Sequence, residues 1–566
     1  MAKRNILKGI VARLFGGDSD RQIKKETDAK RIDSAETASV ENDVQLLFSP
    51  LFRIMISAGD YDVSQLCDTV RSVLSQTYVY YELIIIGKRA VGTLERFFPD
   101  AAFVFADSPM SASKRADKRE HRFVGCLLPG DILSPNALSL LAKRICDEPS
   151  CDFVFADETV ISGNNSVPFP KPDLGKETLL SINSVGRPFF VSHSVFMSAA
   201  PDDLSTEEAV YAFTLKCAEF ASHPIHLCEA LLTRRGIPYG RLSYKCRGII
   251  DAYLKRRTND AYALPGRYEG SFAVRRSLKN KPIVTVIILD SSVPNADALR
   301  KCLEGIDDKV LYGNIEIVIT ARAPADPRTA KYYSLLEYNK AASVLRVESQ
   351  KNAPFALNRA AEYATGEMLL FTSAYSIISS PDSLDAMLEQ ACCDGVGAAG
   401  GKILDFSGRI YNAGTVVGLD GWAKSVYEGS MDTINNEMQN YFVNTIRNVT
   451  AVSSEFMMIK RDVFLSSRGF DESFTDVGYD TDLCLRLMRR GLRNVYTPYA
   501  MLKTGAPRPD YAKAAEDNIS RCYDSFRQSL VLGDKYFNGR FDYAFTIPTL
   551  ADSPYPAIRL NPKKLG

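Results

Sequence analysis

One β-α-β pattern occurs twice in this chain. The apolar run Phe52-Arg53-Ile54-Met55-Ile56 is followed by the helical spacing Leu66, Val70, Val73, Leu74 and then by the run Glu82-Leu83-Ile84-Ile85-Ile86. About 230 residues later the order returns: Ile283-Val284-Thr285-Val286-Ile287-Ile288-Leu289, a helical Leu299, Cys302, Leu303, Ile306, and Ile315-Glu316-Ile317-Val318-Ile319. Short apolar runs around an amphipathic helix predict parallel strands joined by a crossover. A repeat this long duplicates a domain rather than a solenoid unit. The expected fold class is α/β, two tandem modules, each a mostly parallel central sheet flanked by helices, with ligand clefts at the strand C-terminal ends. No G-x-G-x-x-G follows either opening strand, which argues against a dinucleotide-binding dehydrogenase.

With 566 residues, 46% hydrophobic and 24% charged, the chain has room for several cores. Its 69 Lys and Arg against 68 Asp and Glu create no global field, so nucleic acid is not an expected partner. The 12 Cys include no C-x-x-C pair, and Cys67, Cys302 and Cys484 sit in apolar periodic stretches. That pattern predicts buried, reduced thiols rather than a zinc or disulfide framework, and points to a cytoplasmic location. No apolar run reaches the ~20 residues of a membrane span.

Six segments are expected. Residues 1–15 read as a basic amphipathic helix, suited either to peripheral contact with the inner face of the plasma membrane through 3–15 or to docking on the protein body. Residues 16–45 are charged and polar, a flexible linker. A first module follows at 46–240, a connector at 241–281 with the turn signal Pro265-Gly266, and a second module at 282–512. Residues 513–566 hold a helical pattern at Ile519, Cys522, Phe526 and Leu530, then a Pro-rich tail expected to lie across the second module.

Several motifs carry a family resemblance. In the first module these are Ser72-Val73-Leu74-Ser75-Gln76-Thr77-Tyr78, Asp131-Ile132-Leu133-Ser134-Pro135-Asn136, Asp152-Phe153-Val154-Phe155-Ala156-Asp157-Glu158 and Lys171-Pro172-Asp173. In the second they are Pro354-Phe355-Ala356-Leu357-Asn358, Ala364-Thr365-Gly366-Glu367, Gly469-Phe470-Asp471-Glu472 and Asp480-Thr481-Asp482-Leu483-Cys484-Leu485-Arg486. Over roughly residues 52 to 510 the chain resembles family 2 glycosyltransferases of the two-module bacterial cell-surface-polysaccharide type, with a GT-A fold.

The resemblance implies a nucleotide-sugar donor, a glycan acceptor and a divalent cation, Mg²⁺ or Mn²⁺, held by an acidic D-x-D motif. The ligands for that cation are missing here. The first module retains Asp131 alone in Leu127-Leu128-Pro129-Gly130-Asp131, and the second reads Phe371-Thr372-Ser373-Ala374-Tyr375-Ser376. The family's late metal-ligand His falls at about Thr504, and all four His (His121, His193, His223, His226) precede the second module. No metal ligand is therefore assigned. Lys88, Arg89 and Arg322 stand where basic groups would offset diphosphate charge, or are ordinary surface cations.

By resemblance Asp480, with Asp482 beside it, is the catalytic base that deprotonates the acceptor hydroxyl; the alternative is a pair of helix first-turn acids. Asp471 and Glu472 orient acceptor or cap a turn. Asp157 and Glu158, with Asp131, contact substrate in the first module, or Asp157-Glu158 is a solvated turn after an edge strand. Trp422, the single Trp, stacks on a sugar ring or packs in a loop. Two functions follow from the resemblance: an inverting glycosyltransferase of surface glycan biosynthesis, or a catalytically inactive relative that binds glycan or serves as scaffold for a partner glycosyltransferase.

Overall fold

In the computed structural model, both opening apolar runs become central strands, because each is covered on both faces and must be apolar throughout. The structure describes residues 48–551 except 60, 114–120, 259, 291–294, 323–325, 349–350 and 476. The expected helix at 1–15, the linker at 16–45 and the last prolines of the tail lie outside the described residues, as do the side chains of Lys88 and Arg322.

The first sheet comprises β1 (Leu51–Ser57), β2 (Tyr81–Ile86), β3 (Val104–Ala106), β4 (Arg122–Leu127), β5 (Ile132–Leu133), β6 (Phe153–Ser162), β7 (Asn165–Phe169), β8 (Phe189–Ser192) and β9 (Pro224–Arg235). Its order is β3-β2-β1-β4-β8-β6-β9-β5, with β7 paired to β6. The connector holds a helix, Cys246–Lys255, and a hairpin of β10 (Ala261–Pro265) and β11 (Phe272–Arg276).

The second module contributes β12 (Val284–Leu289), β13 (Ile315–Arg322), β14 (Ser343–Val347), β15 (Met368–Ser373), β16 (Ser376–Ile378), β17 (Val396–Asp405), β18 (Ile410–Asn412), β19 (Thr415–Val417), β20 (Ala423–Ser425), β21 (Arg447–Val449), β22 (Met457–Lys460) and β23 (Arg493–Thr504). Its sheet order, β14-β13-β12-β15-β22-β17-β23-β16 with β18 paired to β17, repeats that of the first, and β21 adds a tenth strand paired to β23. In both, four neighbouring strands are parallel, while β8 and β22 run antiparallel to both of their neighbours. Even the polar exception on the central strand recurs. Arg53 is buried on β1 and pairs with Glu82 directly opposite on β2 at 2.8 Å. Thr285 on β12 hydrogen-bonds Glu316 at the same register on β13.

The modules are joined by buried polar contacts. Asn448 on β21 accepts from the backbone N–H groups of Glu177 and Thr178 and donates to Glu177 Oε2 at 2.7 Å, and Arg493 on β23 pairs with Glu177 at 2.9 Å. The helix Glu516–Leu532 packs Cys522 and Phe526 into the second module. The segment after it, expected from sequence to lie across the second module, touches both modules. Asp534 accepts from Val417 N and Thr450 Oγ1, both at 2.8 Å, and four residues on Asn538 reaches Asp157 of the first module. All 12 cysteines are free and most are buried. No described helix is long and apolar enough to cross a membrane.

Candidate functional site

In the second sheet β13 and β14 lie on one side of β12 and β15 lies on the other, so the strand order reverses between β12 and β15. Open α/β sheets bind ligands in the crevice beyond the C-terminal ends of the strands at such a reversal. Ser373 ends β15, Ser376 begins β16, and Thr504 ends β23 opposite Ser376. All three hydroxyls donate to one carboxylate, Glu455 on the short turn Ser454–Phe456. Its Oε1 lies 2.5 Å from Ser373 Oγ and 2.9 Å from Thr504 Oγ1, and Ser376 Oγ completes the set. Burial pushes the Glu455 carboxyl above its ordinary range, against the pull of the three hydroxyls.

The sequence analysis did not single out Glu455. Its one signal was an acid inside the apolar stretch Val449 to Ile459. The positions aligned by resemblance with the metal motif and the late His do converge, but on hydroxyls. A divalent ion of the expected kind needs several carboxylate oxygens or a His. The aligned positions Ser373, Ser376 and Thr504 supply only hydroxyls, and the carboxylate they surround, Glu455, already accepts three hydrogen bonds at Oε1, so these residues do not fit the ion.

Asp480 stands beside this cluster. Its helix, Tyr479–Arg489, starts after Gly478, whose φ of 93° and a 2.7 Å approach of an added Cβ to Cys522 Sγ both exclude a side chain. Asp480 Oδ2 accepts from the N–H of Ser454 at 3.0 Å and Oδ1 from that of Thr481 at 2.7 Å. No ion pair engages it among the described residues, and burial raises its carboxyl above the ordinary value despite those N–H groups. Asp482 does not join it. Two residues along a helix turn a side chain through about 200°, and Asp482 instead pairs with Arg486 at 2.7 Å and accepts from Ser525 Oγ at 2.6 Å on the C-terminal helix.

Trp422 is half-buried, with its ring parallel to Tyr511 at 6.0 Å and 8°. Tyr511 in turn hydrogen-bonds Thr481, next to Asp480. The pair is thus both packed and adjacent to the base candidate. Asp471 accepts from Ser473 N and Oγ and caps its turn. Glu472 takes Asn358 Nδ2 at 2.9 Å, while Asn352 Nδ2 holds the Glu472 carbonyl, so both bind their turn to the helix Ala353–Tyr363.

The first-module acids are spent internally. Asp131, 2% exposed, is gripped by Arg187 at 2.6 and 3.0 Å, and Arg187 also pairs with Glu207. Asp157 accepts from His226 Nε2, Lys171 N and Asn538 Nδ2. Glu158 accepts from Arg234 Nη2 at 2.7 Å and Arg187 N at 3.0 Å and lies 3.4 Å from Lys171 Nζ. Burial alone would raise Glu158, yet Lys171 and Arg234 bring it down to about 2. The solvated-turn expectation for Asp157-Glu158 fails because both lie within β6, between β8 and β9, at 3% and 0% exposure. Arg89, considered as a diphosphate partner, is exposed in the first module.

Residues 282–525 match the family described as glycosyltransferase like family 2. The O-antigen biosynthesis protein RfbC of Myxococcus xanthus is 27% identical over 574 residues, covering 95% of this chain and 44% of that protein. The uncharacterized protein y4gI of Sinorhizobium fredii (strain NBRC 101917 / NGR234) is 27% identical over 495 residues, covering 80% of this chain and 53% of its own length. The chain therefore spans about half the length of the curated relatives it matches. Among solved structures, GalNAc-T7 with UDP, GalNAc and Mn²⁺ aligns at 14% identity and a TM-score of 0.35, over 45% of this chain and 51% of that one, a likeness too partial to bear on function. The similarity to the glycosyltransferase like family 2 thus lies in residues 282–525, the second module and the start of the C-terminal helix.

Proposed function

We propose that this chain is a glycosyltransferase of surface-glycan synthesis and that its second module carries the reaction. An acceptor hydroxyl oxygen attacks the anomeric carbon of a nucleotide-bound sugar, the bond to the diphosphate breaks as the new glycosidic bond forms, and the configuration inverts. Asp480 takes the hydroxyl proton and the nucleoside diphosphate leaves with the electron pair. The observation that carries this reading is the state of Asp480: a carboxylate at the strand-end crevice, bound by N–H groups rather than by a cation, with its basicity raised by burial. The Trp422–Tyr511 pair beside it offers an aromatic face to a sugar ring. The resemblance of the whole chain to an O-antigen biosynthesis protein supports surface glycan as the substrate class.

A second reading has its own support. The acids left at the donor corners are internally satisfied, Asp131 by Arg187 and Glu455 by three hydroxyls, which favours a non-catalytic glycan-binding or scaffold protein for a partner glycosyltransferase. The test is transfer from a panel of labelled uridine, guanosine and thymidine diphosphate sugars to bacterial surface-glycan acceptors, with the Asp480→Asn variant alongside. Transfer that the variant loses supports the enzyme. Acceptor binding without transfer from any donor supports the scaffold.

A further inference from the structure

The crevice between β12 and β15 carries a feature that runs against phosphate binding. Anion sites in α/β folds present N–H groups, Lys, Arg or a bound cation to the phosphate oxygens. Here the wall is Glu455, and the hydroxyls of Ser373, Ser376 and Thr504, which would serve as phosphate donors, are all turned onto its Oε1. Asp290, buried and hydrogen-bonded by Tyr333, adds a second acid just past the C-terminal end of β12. Two carboxyl groups and three committed donors make a poor receptor for a diphosphate, since like charges at close range in a partly buried site repel strongly.

We propose that Glu455 is a specificity-determining residue of the second module: its carboxylate, fixed by Ser373, Ser376 and Thr504, weakens the hold of the crevice on nucleoside diphosphates. The proposal rests on the assignment of this crevice as the sugar-handling site but does not depend on turnover. Glu455 acts twice, by its charge and by occupying the donors. A ligand seated here meets a carboxylate and hydroxyls, groups that hydrogen-bond the hydroxyls of an uncharged saccharide without a cation.

Glu455→Gln separates the two effects from folding. The amide keeps the size of the side chain and an oxygen that accepts from the hydroxyls, while the charge is removed. Calorimetric titration of the full chain with UDP, with EDTA or with Mn²⁺, is compared for the wild type and E455Q, and thermal unfolding confirms that both are folded. The expected result is metal-independent UDP binding in both proteins, about tenfold tighter in E455Q, the order of effect expected from removing one like charge at close range. Equal affinity in the two proteins, including no binding in either, overturns the proposal. So does Mn²⁺-dependent binding that E455Q loses, because Glu455 would then be a metal ligand. The Ser373→Ala variant gives a second reading: it frees one face of Glu455 without removing charge, and UDP affinity is expected to stay at the wild-type level or fall. Since the readout is binding, a failure here leaves Asp480-dependent transfer standing, and absence of transfer leaves this result interpretable.

Discussion

Asn538 donates from Nδ2 to both carboxylate oxygens of Asp157, at 3.0 and 2.9 Å, across 381 positions of sequence. The same nitrogen lies 2.8 Å from the Lys171 carbonyl. The C-terminal segment therefore closes a polar cluster inside the first module after leaving the second. Asn538→Ala removes a donor from a buried carboxylate and is expected to cost about 1–3 kcal/mol. Asn538→Asp places a like charge against Asp157 and should cost more. Urea denaturation midpoints of the two variants decide this; equal midpoints would mean that the contact is dispensable.

Arg187 holds Asp131 and Glu207 together. Arg187→Met strands a buried carboxylate at Asp131, with an expected loss of about 3–5 kcal/mol. The double change R187M with Asp131→Asn should recover part of it, since the uncompensated charge is then gone. Additive losses in a double-mutant cycle would contradict the pairing.

How much of this was readable in sequence depends on how far apart the partners lie. The central strands were legible because a strand covered on both faces shows as a continuous apolar run, and the order of the two sheets repeats because the runs repeat. Asp157 and Glu158 were not, because acids in a strand look like a turn until Lys171, Arg234 and His226 are known to surround them, 14 to 76 positions away. Glu455 was hidden for the same reason: its three donors come from segments 49 to 82 positions distant. The division between Asp480 and Asp482 was within reach of sequence, because 100° per residue on a helix sends neighbours at i and i+2 to opposite sides.

Asp534 gives a pH prediction. It is buried, and burial lifts its carboxyl to about 6, despite hydrogen bonds from Val417 N, Thr450 and Tyr536 N. The folded pKa exceeds the ordinary value of 3.8, so the folded state binds the proton more tightly. The stability contributed by that proton is complete below about pH 4 and is lost as pH rises through about 6. Across this window the wild type should lose up to about 3 kcal/mol relative to Asp534→Asn, which carries no titrating group there. Denaturant unfolding of both proteins from pH 4 to 7.5 checks the sign. A wild-type-minus-variant difference that grows in favour of the wild type with rising pH would refute it.

The two acids of the Asp480-Thr481-Asp482 run should separate in kinetics. Asp480 is bound by N–H groups that orient a base without neutralising it, whereas Asp482 is committed to Arg486 and Ser525. If Asp480 accepts the acceptor proton, Asp480→Asn keeps its size and one acceptor oxygen yet removes the base, and kcat should fall by about 10²–10⁴ with little change in KM for the acceptor. Asp482→Asn should leave kcat within a few-fold and instead weaken the attachment of the helix Glu516–Leu532, seen as a loss of about 1–3 kcal/mol in stability because Arg486 loses its charged partner. Steady-state rates and unfolding midpoints on the same two preparations read both effects. Comparable losses of kcat in both variants would return Asp482 to the catalytic pair, and an unaffected kcat in Asp480→Asn would remove Asp480 from it.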